Sequence, residues 1–175
     1  MKSLYQNLLG EAFHCLPHAV RELHAHTESV TYTGRGSVER GAGWLPRVVG
    51  ALMRFPPAVP DTPVSVRFDI RNGAETWTRQ FGEHRFQSRL SASGAELYES
   101  FGWVRIRFRL TADATGLHMF PLRWTVMGIP LPKRCWPVIV AHESSADGRF
   151  HFHVAASLPL AGLVVRYRGY LQRVT

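Results

Sequence analysis

The chain has 175 residues, 45% hydrophobic and 19% charged, enough length and apolar content for one buried core, which excludes a disordered or collagenous chain and predicts a single domain over 1–175. Twenty-one Lys and Arg against 13 Asp and Glu give a formal charge of +8, while Cys15 and Cys135 are too few and too far apart for a disulfide framework or a thiolate zinc site. No apolar run approaches the roughly 20 residues that span a bilayer, and Met1 to Asn7 lacks an apolar signal core, so the expectation is a cytoplasmic chain without a transmembrane segment.

From Leu4 to Leu23, apolar residues including Leu8, Leu9, Phe13, Leu16 and Val20 recur at helical spacing. Pro17 interrupts them, which predicts two helices at about 3–14 and 17–25, with the proline in the first turn of the second. Residues 29–33 read as a short strand, and Gly34, Gly36 and Gly41 as a tight turn or bulge. These glycines match neither a Walker A loop nor the dinucleotide spacing. A third helix is expected at about 44–54, then an extended connector from Phe55 to Pro60. Residues 1–55 thus read as a mainly helical cover.

Over 64–173 the period changes to two. Val64, Val66, Phe68 and Ile70 alternate with Ser65, Arg67, Asp69 and Arg71, the pattern of a strand with one dry face. Asn72-Gly73 is the preferred two-residue hairpin turn and Gly82-Glu83 a glycine-first one. Together they place Phe68 opposite Trp77, Val66 opposite Arg79, Arg79 opposite Phe86 and Phe81 opposite His84, turning Arg79 and His84 to the dry side. Further strands are expected at about 95–101, 103–110, 117–126, 138–145, 149–158 and 163–173. About nine or ten antiparallel strands tend to curl, which predicts a mainly β fold, a lipocalin- or calycin-like barrel or half-barrel with the N-terminal helices packed on a mouth or open face.

An arginine on an apolar face must be ion-paired or reach a solvent-filled cavity. Arg79 is therefore a candidate anchor for a ligand carboxylate, with an internal ion pair or a rim position as the structural alternative. Glu143, on the face of Ile139, Ala141, Phe150 and Phe152, is a candidate internal partner, and Tyr167 a further polar guest. His142 and His153 face each other with His151 diagonal to them, but on the opposite, solvent side, so no metal is expected. Arg105, Arg107 and Arg109 line one side of a strand as an exposed sheet face does, and nucleic acid is not expected as a partner. The proline-broken segment Val126 to Pro132 reads as a loop that covers the core or rims an opening, a place for peripheral contact with lipid. No nucleophile motif, metalloprotease helix or spaced carboxylate pair is present, and no cofactor is expected.

Several segments together resemble one family: Leu4-Tyr5-Gln6-Asn7-Leu8-Leu9-Gly10 with Leu16-Pro17, Gly34 to Gly41, Trp77-Thr78-Arg79-Gln80-Phe81, Gly128-Ile129-Pro130-Leu131-Pro132, Gly148-Arg149-Phe150-His151-Phe152, and Leu158-Pro159-Leu160 through Leu171. The chain is similar in these to the bacterial domain of unknown function 4166 family. The resemblance implies a domain found alone or joined to other modules, including dehydrogenase-like ones, and brings no established activity or catalytic residue. It also implies an acidic residue where this chain has His153.

The functional expectation is a binding module for a small hydrophobic, acidic molecule. Arg79 would pair the acid group, Trp77, Phe86, Trp124 and Phe152 would form walls, and His84, Glu143 and Tyr167 would supply polar contacts. Two other classes stay open. One is a cofactor-independent enzyme of isomerase or cyclase type in the same cavity, and the other a non-catalytic interaction domain with a solid interior.

Overall fold

The N-terminal apolar stripe folds as three short helical segments. In the computed structural model, which describes residues 2–174, Ser3 and Gln6 form a reciprocal capping box that starts α1 (Leu4–Leu9). The helix expected over 3–14 stops at Gly10, whose φ of 54° turns the chain out of the α conformation. A 3-10 turn, Gly10–Cys15, follows. Pro17 then sits just ahead of α2 (His18–His24), where its missing N–H costs nothing.

β1 (Val30–Arg40) runs straight through the glycine stretch read as a turn, with a bulge between Gly36 and Val38. The glycines serve close approach. Gly36 lies opposite Gly169, and a Cβ on Gly169 would stand 2.2 Å from the Arg35 carbonyl oxygen. α3 (Trp44–Leu52) follows as expected. β2 (Val59–Arg71) begins inside the supposed connector, because the longer β1 offers partners to Val59, Thr62 and Pro63.

The remaining strands are β3 (Ala74–Phe81), β4 (His84–Ser93), β5 (Glu96–Phe101), β6 (Val104–Asp113), β7 (Gly116–Val126), the two-residue β8 (Ile129–Pro130), β9 (Val138–Ala146), β10 (Arg149–Leu158) and β11 (Gly162–Arg173). Both hairpin turns hold, with positive φ at Asn72, Gly73 and Gly82. The register is as expected: Phe68 opposite Trp77, Val66 opposite Arg79, Arg79 opposite Phe86 and Phe81 opposite His84.

Ten strands close into an antiparallel barrel. β1 pairs with β11 at one seam and β6 with β7 at another, and β8 is an extra strand on β7. Closure removes the exposed edges that a half-barrel would leave. β7 and β9 pair only over Leu117 to Met119; beyond that they part, and the segment 127–137 occupies the gap.

The two barrel ends differ. At the end with the Asn72-Gly73 and Asp147-Gly148 turns, α2 packs on β9 and β10, and α1 on β4 and β6. Tyr5, Phe13, Leu16, Val20 and Leu23 enter the core there. The opposite end carries α3 and the segment 127–137.

Candidate functional site

The inward face of the strands leaves a cavity of about 310 Å³, at the lower end of the usual range for small-molecule sites. It is lined almost entirely by apolar side chains, among them Trp77, Trp124 and Phe152, with Tyr167 beside them. Among the described residues, three charged ones, Arg79, Glu99 and Glu143, line it.

The alternation of β3 places Glu75, Trp77, Arg79 and Phe81 inward. Arg79 donates from Nη1 to Ser88 Oγ at 2.7 Å and from Nη2 to Glu99 Oε1 at 3.1 Å, and the Ser88 hydroxyl donates to the same Glu99 oxygen at 2.7 Å. The guanidinium also lies over the Trp77 and Phe86 rings, 4.8 and 5.7 Å from their centroids. Its charge is therefore already compensated inside the barrel. The expected pairing with Glu143 is corrected, since register and reach bring Glu99 to Arg79 instead.

Glu143 bonds to the helical cover. His24, the last residue of α2, shares a 2.5 Å hydrogen bond from Nε2 with Glu143 Oε2, and both side chains are buried. The imidazole packs against the Tyr5 ring at 3.8 Å and the Trp77 ring at 5.9 Å. Trp77 Nε1 donates to Glu75 Oε2 at 2.7 Å. Burial pushes the Glu75 carboxyl up from its ordinary pKa, against the lowering effect of the Trp77 hydrogen bond. The Tyr5 hydroxyl is raised well above its usual pKa by burial and the three surrounding glutamates. Tyr167 is pushed up to about 12, chiefly by burial, so its hydroxyl stays protonated at neutral pH. The base of the barrel thus holds three carboxyl groups, Glu75, Glu99 and Glu143, against one arginine and one histidine.

The other expected site residues fall in two groups. Trp77, Trp124, Phe152, Tyr167 and Glu143 line the cavity with Arg79. Phe86 does not line it: the ring is buried among Phe55, Phe81 and Tyr167. His84 is displaced from the pocket altogether. It opens β4 at the α3 end, half-buried, where Nε2 lies 2.7 Å from the Arg54 carbonyl oxygen and pins the segment after α3 to the barrel rim. A residue one position after a hairpin turn shares the inward face but sits past the cavity.

Ser88, Glu99, Glu75, Tyr5 and His24 escaped the sequence reading of the site. For three of them a signal existed. Glu99 alternates with buried Leu97 and faces Leu90 across β4, Ser88 faces Trp77, and Glu75 shares the Trp77 face. On the outside, His142 faces His153 as expected, while His151 faces Ser144. His118 of β7 stacks on His142 with ring centroids 4.7 Å apart. Among the described residues no group of three His, Cys, Asp or Glu is arranged to hold a metal. Arg107 pairs with Glu96 at 3.2 Å on the same outer surface.

A closed ten-stranded antiparallel barrel with a helical plug and an apolar interior defines a β-barrel consistent with the calycin-like architecture. The chain belongs to the DUF4166 family, a domain of unknown function, whose model matches residues 16–171. Among solved structures it is similar to a protein of unknown function of the DUF3598 family from Nostoc punctiforme, with a TM-score of 0.52 and 10% identity, covering 83% of this chain and 47% of the other. The chain spans about half the length of that protein, and the likeness is one of fold. No curated protein matches it. No helix among the described residues is long and apolar enough to cross a membrane.

Proposed function

We propose that the barrel binds a small, largely apolar, uncharged molecule in the cavity between the polar base and α3. The observation that carries this reading is the cavity itself: about 310 Å³ of space walled by apolar side chains, with charged groups confined to Arg79, Glu99 and Glu143. A solid interior, which a purely structural interaction domain would have, is absent from this part of the core. The acidic ligand expected from Arg79 loses its support, because that charge is matched by Glu99 and two more carboxyl groups stand nearby. A head group that donates hydrogen bonds, such as a hydroxyl, suits Glu99 and Glu143 better than a carboxylate does. Catalysis by His24 has little to recommend it, since its Nε2 is committed to Glu143 and the side chain is only 1% exposed.

Titration with N-phenyl-1-naphthylamine, a neutral apolar fluorophore, tests the reading. One saturable site is expected, displaced by a long-chain alcohol at about tenfold lower concentration than by the fatty acid of equal length, a difference of about 1.4 kcal/mol. Ala141→Trp, which fills the cavity from β9, abolishes the signal. No saturable site, preference for the acid, or undiminished binding in Ala141→Trp contradicts the proposal.

A further inference from the structure

We infer that the α3 end of the barrel docks on the surface of an anionic lipid bilayer, with the cavity mouth facing the lipid. Strand direction brings the evidence to one end. The β5–β6, β7–β8 and β10–β11 turns and α3, which joins β1 to β2, all lie at the end opposite the helical plug. Their tips present Trp44, Leu52, Trp103, Met127, Ile129 and Leu160, each at least 68% exposed. Large apolar side chains exposed singly are ordinary, but six from four separate elements around one opening form a rim.

Trp44, Val48 and Leu52 follow at four-residue spacing along α3 and are all exposed, so this short helix turns an apolar stripe outward. Val49, Leu52 and Met53 meanwhile line the cavity, as do Leu131, Cys135 and Pro137 of the segment beside it. The apolar rim is therefore continuous with the apolar interior. Tryptophan at the edge of such a patch is the side chain that settles at a membrane interface.

Charge identifies the surface. Arg47, Arg54, Lys133 and Arg134 are exposed at this end, and none has a salt-bridge partner among the described residues. Glu83 is the exposed acid at the β3–β4 turn, whereas Glu39 and Asp61 are already paired with Arg166 and Arg35. Basic side chains around an apolar rim complement anionic headgroups. A protein partner would have to match the same hydrophobes, set on four separate tips around the cavity mouth, on a surface of its own.

The inference goes beyond the cavity reading, and its test needs no ligand. The full chain is mixed at low ionic strength with vesicles of phosphatidylglycerol and phosphatidylcholine in equal parts, and with phosphatidylcholine vesicles. Co-sedimentation and a blue shift of tryptophan emission are expected with the anionic vesicles, weakening as salt is added. Trp44→Ser with Trp103→Ser is expected to lower partitioning at least about tenfold, and Arg47→Glu with Arg134→Glu to do the same, while N-phenyl-1-naphthylamine binding without vesicles is unchanged. A chain that ignores anionic vesicles, binds neutral ones equally well, or partitions undiminished in the double tryptophan variant overturns the inference. A docking failure with intact probe binding leaves the cavity reading standing, and the reverse result does the opposite.

Discussion

Arg79 shows how one neighbour changes the meaning of a side chain. With the Glu99 carboxyl and the Ser88 hydroxyl on its guanidinium, it is an internal ion pair, and removing one partner leaves the other charged in a dry interior. Arg79→Met is accordingly expected to destabilise the barrel by about 3–5 kcal/mol in urea unfolding, whereas Arg79→Met with Glu99→Leu recovers most of the loss. Equal losses in the single and double variants would show that the pair is not coupled. Glu75 behaves differently. Its folded pKa is raised above the unfolded value of about 4.5, so the folded state holds its proton more tightly. That contribution is complete below the unfolded pKa and is lost as pH rises through the folded one. Glu75→Gln keeps an acceptor for Trp77 Nε1 and is expected to be more stable than the parent at pH 7 but not at pH 4. A pH-independent difference between the two unfolding curves would contradict this.

At the scale of elements, α3 packs on β11, and the segment after it is tied to the barrel by hydrogen bonds. Arg40 donates from Nη1 to the carbonyl oxygens of Phe55 and Pro56 at 3.0 and 3.1 Å, beneath Gly50, and His84 holds Arg54. Hydrogen exchange should therefore show faster exchange over 44–57 in Arg40→Ala with the barrel strands still protected, since the lost bonds anchor only this segment. Global loss of protection would mean that α3 and the barrel unfold as one. The β1–β11 seam is the opposite case. Gly36 and Gly169 meet backbone to backbone under the Phe152 ring, whose Cζ would be 2.9 Å from a Cβ on Gly169. Gly169→Ala overpacks this seam and is expected to cost about 1–3 kcal/mol, measured by denaturation.

These elements also show what the sequence makes legible. Strict alternation and two turn dipeptides were enough to place Arg79 opposite Phe86 and Val66, because in a sheet register follows from local turns. The extension of β1 through its glycines was not legible, since the need for glycine there arises from β11, a strand distant in sequence. Nor was the pair of His24 and Glu143, 119 residues apart, which depends on how α2 seats in the barrel. The two turns suffice to point Arg79 inward, yet its partner Glu99 lies on β5, which neither turn dipeptide aligns.

For the whole molecule, closure and asymmetry of the ends decide the account. One end is sealed by the N-terminal helices and an acidic, hydrogen-bonded base. The other is rimmed by α3 and the segment 127–137 where β7 and β9 part. An apolar space open toward an apolar, basic rim follows from this arrangement, and so does the preference for an uncharged ligand over an acid. Native mass spectrometry of the protein purified from its own cells, followed by denaturing extraction and identification of whatever is released, tests that claim most directly. A stoichiometric, largely apolar, uncharged molecule, absent from Ala141→Trp, is the result predicted here. A stoichiometric carboxylic acid, or the bare mass of both proteins, would contradict it.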